Sequence, residues 1–291
     1  MDDEAALLRY TAHRMDLGVV IVNWNSGEYL ARLLASLAPL SAELRSVVVV
    51  DNSSRDGSAA AASSFPHVIL RQFPANRGFA AAANQGIAQS ESRYVLLLNP
   101  DIEVCPEMVR ELYRRIKENG AAAIGCARLV SPDGSSQDTF QLRPLPGFWN
   151  VLTDVLFLDE VVKPFAQSAV PQKAGLSGIR VEQPAAACWM LKKEAWSELG
   201  GFDESFVPAW FEDVDFCKRL KASRWEIRWF PDLTLTHRGG LSLQTLRYRD
   251  FISFYYGNLL RYLKKHHRFL YPLLWLPVML GSRLRMLVGG K

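Results

Sequence analysis

The feature that most constrains this chain is a recurrence in its first half: short β-branched or leucine-rich runs, each ending abruptly in polar residues and each followed by a helical pattern. Val19-Val20-Ile21-Val22 stops at Asn23-Trp24-Asn25, after which Tyr29, Leu30, Leu33, Leu34 and Leu37 return at helical spacing. Val47-Val48-Val49-Val50 ends in Asp51-Asn52-Ser53-Ser54 and leads into an alanine-rich stretch over 56–64. Val68-Ile69-Leu70 is a shorter run, and Asn76-Arg77-Gly78-Phe79 opens a second alanine-rich helix that contains Asn84. Tyr94-Val95-Leu96-Leu97-Leu98 then ends in Asn99-Pro100-Asp101. Continuous apolar runs suit strands covered on both faces, and their alternation with helices predicts an α/β fold with a mainly parallel sheet and right-handed crossovers. In such sheets ligands gather beyond the carboxyl ends of the strands. The loops carrying Asn23, Asp51 and Asp101 are therefore expected along one edge. Taken alone, Asn99-Pro100-Asp101 is equally well a turn.

Beyond this block the spacing predicts a helix over 107–119 and a strand over 121–127. Residues 131–182 carry several prolines and glycines with scattered aromatics. A segment so long and irregular is expected to be a lid, an acceptor-binding region or a decorative insertion. Strand character resumes over 184–191, a short helix follows near Glu194, and Gly200-Gly201 makes a turn. Trp210-Phe211-Glu212-Asp213-Val214-Asp215 places three acids at a helix start, where capping is the bland role. Two strands, 225–230 and 233–236, deliver His237.

Several function classes are excluded by what is missing. No G-x-G-x-x-G follows the first strand and no Walker lysine motif is present, which disfavours dinucleotide dehydrogenases and P-loop ATPases. No Gly- and Arg-rich triphosphate loop supports a nucleotidyltransferase. The four cysteines, Cys105, Cys126, Cys188 and Cys217, stand far apart with no C-x-x-C pair. They read as thiols of a reducing cytosol, neither disulfides nor a zinc site. No N-terminal apolar run suggests secretion, so a leader is not expected, and the longest strongly apolar run, 269–280, is too short to span a bilayer and holds Pro272 and Pro277.

The formal net charge of +4 is unevenly spread. From Arg247 to Lys291 nine Lys and Arg face one acid, Asp250, so this tail carries about +8 and the remainder about −4. Basic residues among Phe, Tyr, Trp and Leu describe an interfacial amphipathic segment suited to an anionic leaflet. Packing on the main domain or pairing into a homodimer are the alternatives. No nucleic-acid-binding module accompanies the charge.

Together these motifs resemble family 2 glycosyltransferases with the GT-A fold, and among them the rhamnosyltransferase-like branch that decorates cell-surface polysaccharides. The resemblance spans about residues 17–245. It implies a mixed, mainly parallel central sheet flanked by helices, preceded by an N-terminal arm (1–15) and followed by a helical tail (246–291). Asn99-Pro100-Asp101 stands where the family has its D-x-D motif, so Asp101 is the expected carboxylate ligand of a divalent cation, Mg²⁺ or Mn²⁺. His237 matches a second ligand. Asp51 matches the carboxylate that reads the pyrimidine N–H, with Asn23, Asn25, Arg77, Asn84 and Asn99 around the donor nucleotide. Asp213 matches the catalytic base, Glu212 and Asp215 are supporting residues, and Asp215 is the second choice for the base.

The expected activity is an inverting, metal-dependent transfer of a sugar, possibly rhamnose, from a dTDP- or UDP-sugar to a glycan or lipid-linked acceptor. The expected location is the cytoplasmic face of the plasma membrane. The Asn in place of the first D-x-D Asp admits one alternative, a non-catalytic nucleotide- or glycan-binding homologue that scaffolds an assembly complex.

Overall fold

The computed structural model describes residues 14–65, 67–156, 158, 175–240 and 246–288. Most of the predicted N-terminal arm and the middle of the irregular segment lie outside them.

In chain order the elements are β1 (Leu17–Asn23), α1 (Tyr29–Leu37), β2 (Ser46–Asp51), α2 (Ser58–Ser63), β3 (Val68–Gln72), α3 (Phe79–Gln89), β4 (Tyr94–Leu98) and β5 (Ile102–Glu103). They continue with α4 (Pro106–Glu118), β6 (Ala122–Val130), α5 (Asp138–Gln141), β7 (Leu142–Arg143), α6 (Phe148–Val155), β8 (Ile179–Arg180) and β9 (Gln183–Pro184). The last are β10 (Cys188–Lys192), α7 (Lys193–Glu198), α8 (Glu212–Lys221), β11 (Glu226–His237), α9 (Tyr248–His266) and α10 (Tyr271–Val288).

One sheet runs in the order β3-β2-β1-β4-β10-β6-β11-β5, with β8 also on β11. Strands β3, β2, β1 and β4 are parallel, whereas β10 is antiparallel to both β4 and β6. Strand β1 is buried along its whole length, as the unbroken apolar run requires. Leu30, Leu33, Leu34 and Leu37 of α1 seal one face of the sheet. On the other face lies α3, whose alanines let it approach closely. A Cβ on Gly86 would stand 2.4 Å from Val20 Cγ1, so any larger residue there would push the helix off the sheet.

Register places the strand ends. Asn23 is paired with Asp51 and Asp51 with Gln72, while Leu98 sits opposite Ile21, so the polar ends of β1, β2 and β4 share one edge as expected. At the far side β5 runs antiparallel to β11 and sets His237 opposite Ile102, next to Asp101. Residues 225–236, expected as two strands, form one. Pro231 lacks the N–H a ladder needs, so β11 shifts register between Phe230 and Thr234 and then continues. The outward Asp232 at this irregularity pairs with the buried Arg115 at 2.6 Å.

The tail forms two helices, α9 and α10. Tyr256, Leu259, Tyr262, Leu263, Leu274 and Val278 share a core cluster with Phe206 and Phe211, just ahead of α8, and with Val151 and Val155 of α6.

Candidate active site

The nucleotide side of the edge is a network of short polar side chains. Asn23 is fully buried. Its Nδ2 donates to Asp51 Oδ1 (2.8 Å) and to the Ser58 hydroxyl (2.9 Å), and its Oδ1 accepts from Ser26 Oγ at 2.5 Å. Asn23 therefore fixes the Asp51 carboxylate and is not itself a free group at the edge. Asn25 acts similarly between loops, taking the Arg55 N–H on its Oδ1 (2.8 Å). The second oxygen of Asp51 accepts from Ser54 N at 3.2 Å, which leaves further acceptor capacity on both oxygens.

Beside it, Asn52 Nδ2 donates to Asn76 Oδ1 (3.0 Å), and Asn52 Oδ1 accepts the Arg77 N–H (2.8 Å). Asn52 thus clamps the Arg77 backbone, while the half-exposed guanidinium lies over the Phe73 ring and 3.8 Å from Glu204. Gly78 has φ of 87°, and a Cβ there would meet the Pro208 carbonyl oxygen at 3.0 Å. Phe79 N donates to that same oxygen at 2.7 Å. Only glycine permits both the left-handed turn and the approach. Asn84 is a structural clip. Its amide bonds both the N–H and the carbonyl of Phe202, holding α3 to the Gly200-Gly201 turn.

At the end of β4, Asp101 meets His237, and both are buried. Gln137 Nε2 donates to the His237 carbonyl (2.8 Å) and to Ser131 Oγ (3.0 Å), which fixes Gln137 Oε1 as the acceptor facing His237 Nδ1 at 2.7 Å. Nδ1 therefore carries the proton, and in the neutral ring Nε2 presents a lone pair. Nε2 lies 3.5 Å from Asp101 Oδ1, too far for a good hydrogen bond. Phe140 stacks on the imidazole at 5.5 Å and holds its plane, while Gly239 N donates to Asp101 Oδ2 at 3.1 Å. Two electron-pair donors aimed at one gap fit a divalent cation whose remaining ligands are phosphate oxygens and water. Among the described residues no three His, Cys, Asp or Glu groups gather to hold a metal unaided.

Asp213 stands in the first turn of α8. Its Oδ1 accepts from Val214 N (2.8 Å), and its Oδ2 lies 3.4 Å from Ala186 N and 3.3 Å from Gln183 Nε2. The next peptide joins it to the metal side, since Asn99 N donates to Ala187 O at 2.9 Å. Asn99 is half-buried, and its carbonyl accepts from Ile102 N at 3.3 Å. Burial raises the Asp213 pKa above the usual aspartate range. Neighbouring Glu212 is pushed up further, first by burial and then by the Asp213 charge, and its Oε2 finds no donor among the described residues. Of the two carboxyls, the one with N–H donors takes the negative charge, and Glu212 stays neutral longer.

Asp215 is no alternative base. Fully buried, it pairs with Arg219 (2.8 Å), Lys265 (2.7 Å) and His266 Nε2 (2.7 Å), which ties α8 to the end of α9. Asp215→Ala leaves these groups facing one another. It is expected to lower unfolding free energy by about 3 kcal/mol, measured by urea denaturation.

Sequence reasoning passed over Gln137, Gln183 and Asn258. The first two sit in or near the irregular segment, where no periodicity marks them. A lone Asn between apolar positions of a helix was the available signal for the third.

The sheet order, the polar strand ends and the two carboxylate centres define a GT-A glycosyltransferase. Comparison with solved structures agrees. A mannosyltransferase of Pyrobaculum calidifontis, in complex with GDP-Man and Mn²⁺, superposes with a TM-score of 0.56 at 16% identity, over 99% of this chain and 84% of that one. S. aureus TarS 1-349 in complex with UDP-GlcNAc gives 0.55 at 18% identity, over 85% and 65%. The model of the family described as Glycosyl transferase family 2 matches residues 18–173, and the chain belongs to that family. Among characterised relatives, the N-acetylglucosaminyl-diphospho-decaprenol L-rhamnosyltransferase of Mycobacterium tuberculosis is 28% identical over 76% of this chain and 75% of its own. The low-salt glycan biosynthesis hexosyltransferase Agl10 of Haloferax volcanii is 27% identical over 71% and 62%.

Proposed function

We propose that this family 2 glycosyltransferase moves rhamnose from dTDP-rhamnose onto a lipid-linked or cell-surface glycan, with inversion and with a divalent cation. The observation that carries this reading is the Asp101–His237 gap, two adjacent peptides away from the partly buried Asp213. The name of the mycobacterial relative, which specifies rhamnosyl transfer to a diphospho-decaprenol, supports the donor and acceptor class.

In the reaction an acceptor hydroxyl oxygen bonds to the anomeric carbon while its proton passes to ionised Asp213. The bond from that carbon to the diphosphate oxygen breaks, and the diphosphate departs with the electron pair. Attack opposite the leaving group inverts the centre. Asp101 and His237 would hold a Mg²⁺ or Mn²⁺, which when bound would supply positive charge to the diphosphate. Asp51 accepts the N–H of the pyrimidine ring, with Asn23 and Asn52 fixing the loops around it. The assay is transfer from dTDP-rhamnose to an N-acetylglucosaminyl-diphospho-polyprenol, with the product's anomeric configuration read by NMR. A product that retains the donor configuration excludes single displacement.

The reaction needs Asp213 unprotonated, and burial raises its pKa from 3.8. Activity is therefore present above the raised pKa and lost as pH falls through it. The acidic limb of kcat is expected above the ordinary aspartate value, and a pH–rate profile flat down to pH 3.8 contradicts this.

The tail supports contact with an anionic membrane. Leu273, Leu276, Leu280, Leu284 and Leu287 are exposed along α10, and the chain has no acid after Asp250. Among the described residues no helix is long and apolar enough to cross a membrane. Replacing Leu276, Leu280 and Leu284 by Ser is expected to cut partitioning onto phosphatidylglycerol vesicles by well over tenfold, since each buried leucine contributes about 1.5–3 kcal/mol, a factor of about ten or more by itself. If the wild-type chain ignores vesicles and elutes as a dimer that the same changes dissolve, the face is a subunit interface.

A further inference from the structure

The turn that leads into the acidic dipeptide is unusual. Trp210 and Phe211 both have left-handed backbones, with φ of 70° and 76°. For bulky residues this conformation is costly, and it persists only where the surroundings over-determine it.

Those surroundings come from α9. Asn258 is 1% exposed. Its Nδ2 donates toward three carbonyl oxygens of the turn, those of Val207 (3.2 Å), Ala209 (2.9 Å) and Trp210 (3.2 Å). Arg261 Nη1 donates to Asn258 Oδ1 at 2.5 Å, which orients the amide with its nitrogen toward those carbonyls. The rings are anchored on the same helix, Trp210 against Phe251 at 5.0 Å and Phe211 against Tyr255 at 5.2 Å.

We infer that Asn258 is a positioning residue for sugar transfer: from the tail helix it holds the left-handed Trp210-Phe211 turn and so sets where Asp213 stands. This rests on the reading of Asp213 as the base. The dihedrals of Phe211 aim the first turn of α8, so a relaxation of the turn to right-handed φ swings Glu212 and Asp213 together. The donor groups Asp51, Asp101 and His237 are placed by the register of β2, β4, β5 and β11, which the turn does not set. Loss of the brace therefore acts on turnover far more than on donor binding, which the turn reaches through the Pro208 carbonyl on Phe79 N. A displacement of about 1 Å in a reacting group can cost about 10²-fold in rate.

The test compares Asn258→Leu, which removes the donor, and Asn258→Asp, which turns an oxygen toward the three carbonyls. Each is assayed for transfer from dTDP-rhamnose and for dTDP affinity with Mn²⁺ by calorimetry. The expected result is a kcat about 10²-fold lower in both, with donor KM and dTDP affinity unchanged within about twofold. Arg261→Met, which frees the amide without leaving the three carbonyls unpaired, serves if neither variant folds. Its expected loss is about tenfold in kcat alone. A kcat equal to wild type, or a loss of kcat matched by an equal loss of dTDP affinity, overturns the proposal. Asp213→Asn is run alongside. If it stays active, the base assignment fails; if it is inactive while the Asn258 variants turn over normally, only the positioning role fails.

Discussion

Asp213→Asn is expected to lower kcat for sugar transfer by about 10³-fold, within the range that a positioned general base contributes. The amide keeps the size of the side chain, and its one oxygen can still accept from Val214 N, so α8 should start where it does now. It cannot take the acceptor proton. Donor affinity is expected to be unchanged, because the carboxylate sits across the Ala186-Ala187 peptides from the Asp101–His237 pair. The stability that the wild type loses as pH rises through the raised Asp213 pKa should not be lost in the variant. A carboxyl whose pKa is raised on folding opposes the fold once ionised, and the amide never ionises. Steady-state transfer with calorimetry of the nucleotide separates the two effects, and turnover within threefold of wild type removes Asp213 from the role.

Asp101→Ala is expected to abolish the dependence of donor binding on metal. In the wild type, Mn²⁺ should tighten nucleotide-sugar affinity by at least about tenfold over EDTA, a modest share of what a cation contributes at a diphosphate. In the variant, affinity should match the wild type's value in EDTA whether or not the metal is added. The loss should be large because Asp101 brings the negative charge to this gap, and Asn99 occupies the place of a second carboxylate. His237→Ala should weaken the metal effect less, since it removes a neutral ligand and leaves the charge. Calorimetric titrations with and without Mn²⁺ measure both. An Asp101→Ala chain that keeps the full metal effect contradicts the assignment.

Much of the fold was legible because a parallel strand covered on both faces announces itself as an unbroken apolar run. Strands β1, β2 and β4 are such runs, and their ends are marked by Asn23, Asp51 and the Asn99-Pro100 break. What residues at those ends do was less legible, because it depends on register. Asn23 reads in the sequence as a group open to ligand. In the fold it lies beside Asp51 on the neighbouring strand and is consumed in holding that carboxylate. Asp215 differs from Asp213 by two positions, enough on a helix to turn it from the sheet edge toward Lys265 and His266 of the tail. Pro231 divided one strand into two in the sequence because the bulge that accommodates it is a tertiary feature. Gln137 lies a hundred residues from the histidine it orients, and no local pattern could link them. Asn258 falls between buried apolar residues of α9, where a polar side chain needs a partner, but the partners are backbone carbonyls that composition does not reveal.

The central claim, that Asp101 and His237 bind the donor diphosphate through a divalent cation, is tested most directly by thermal unfolding of the wild-type chain. The scan compares dTDP-rhamnose, UDP-sugars and GDP-sugars, each with Mn²⁺ and with EDTA. At a donor concentration of 100 times Kd the expected stabilisation is about 2.7 kcal/mol, seen with dTDP-rhamnose in Mn²⁺ and cut to about 1.4 kcal/mol or less in EDTA. Equal stabilisation with and without the metal, or none by any nucleotide sugar, would contradict it.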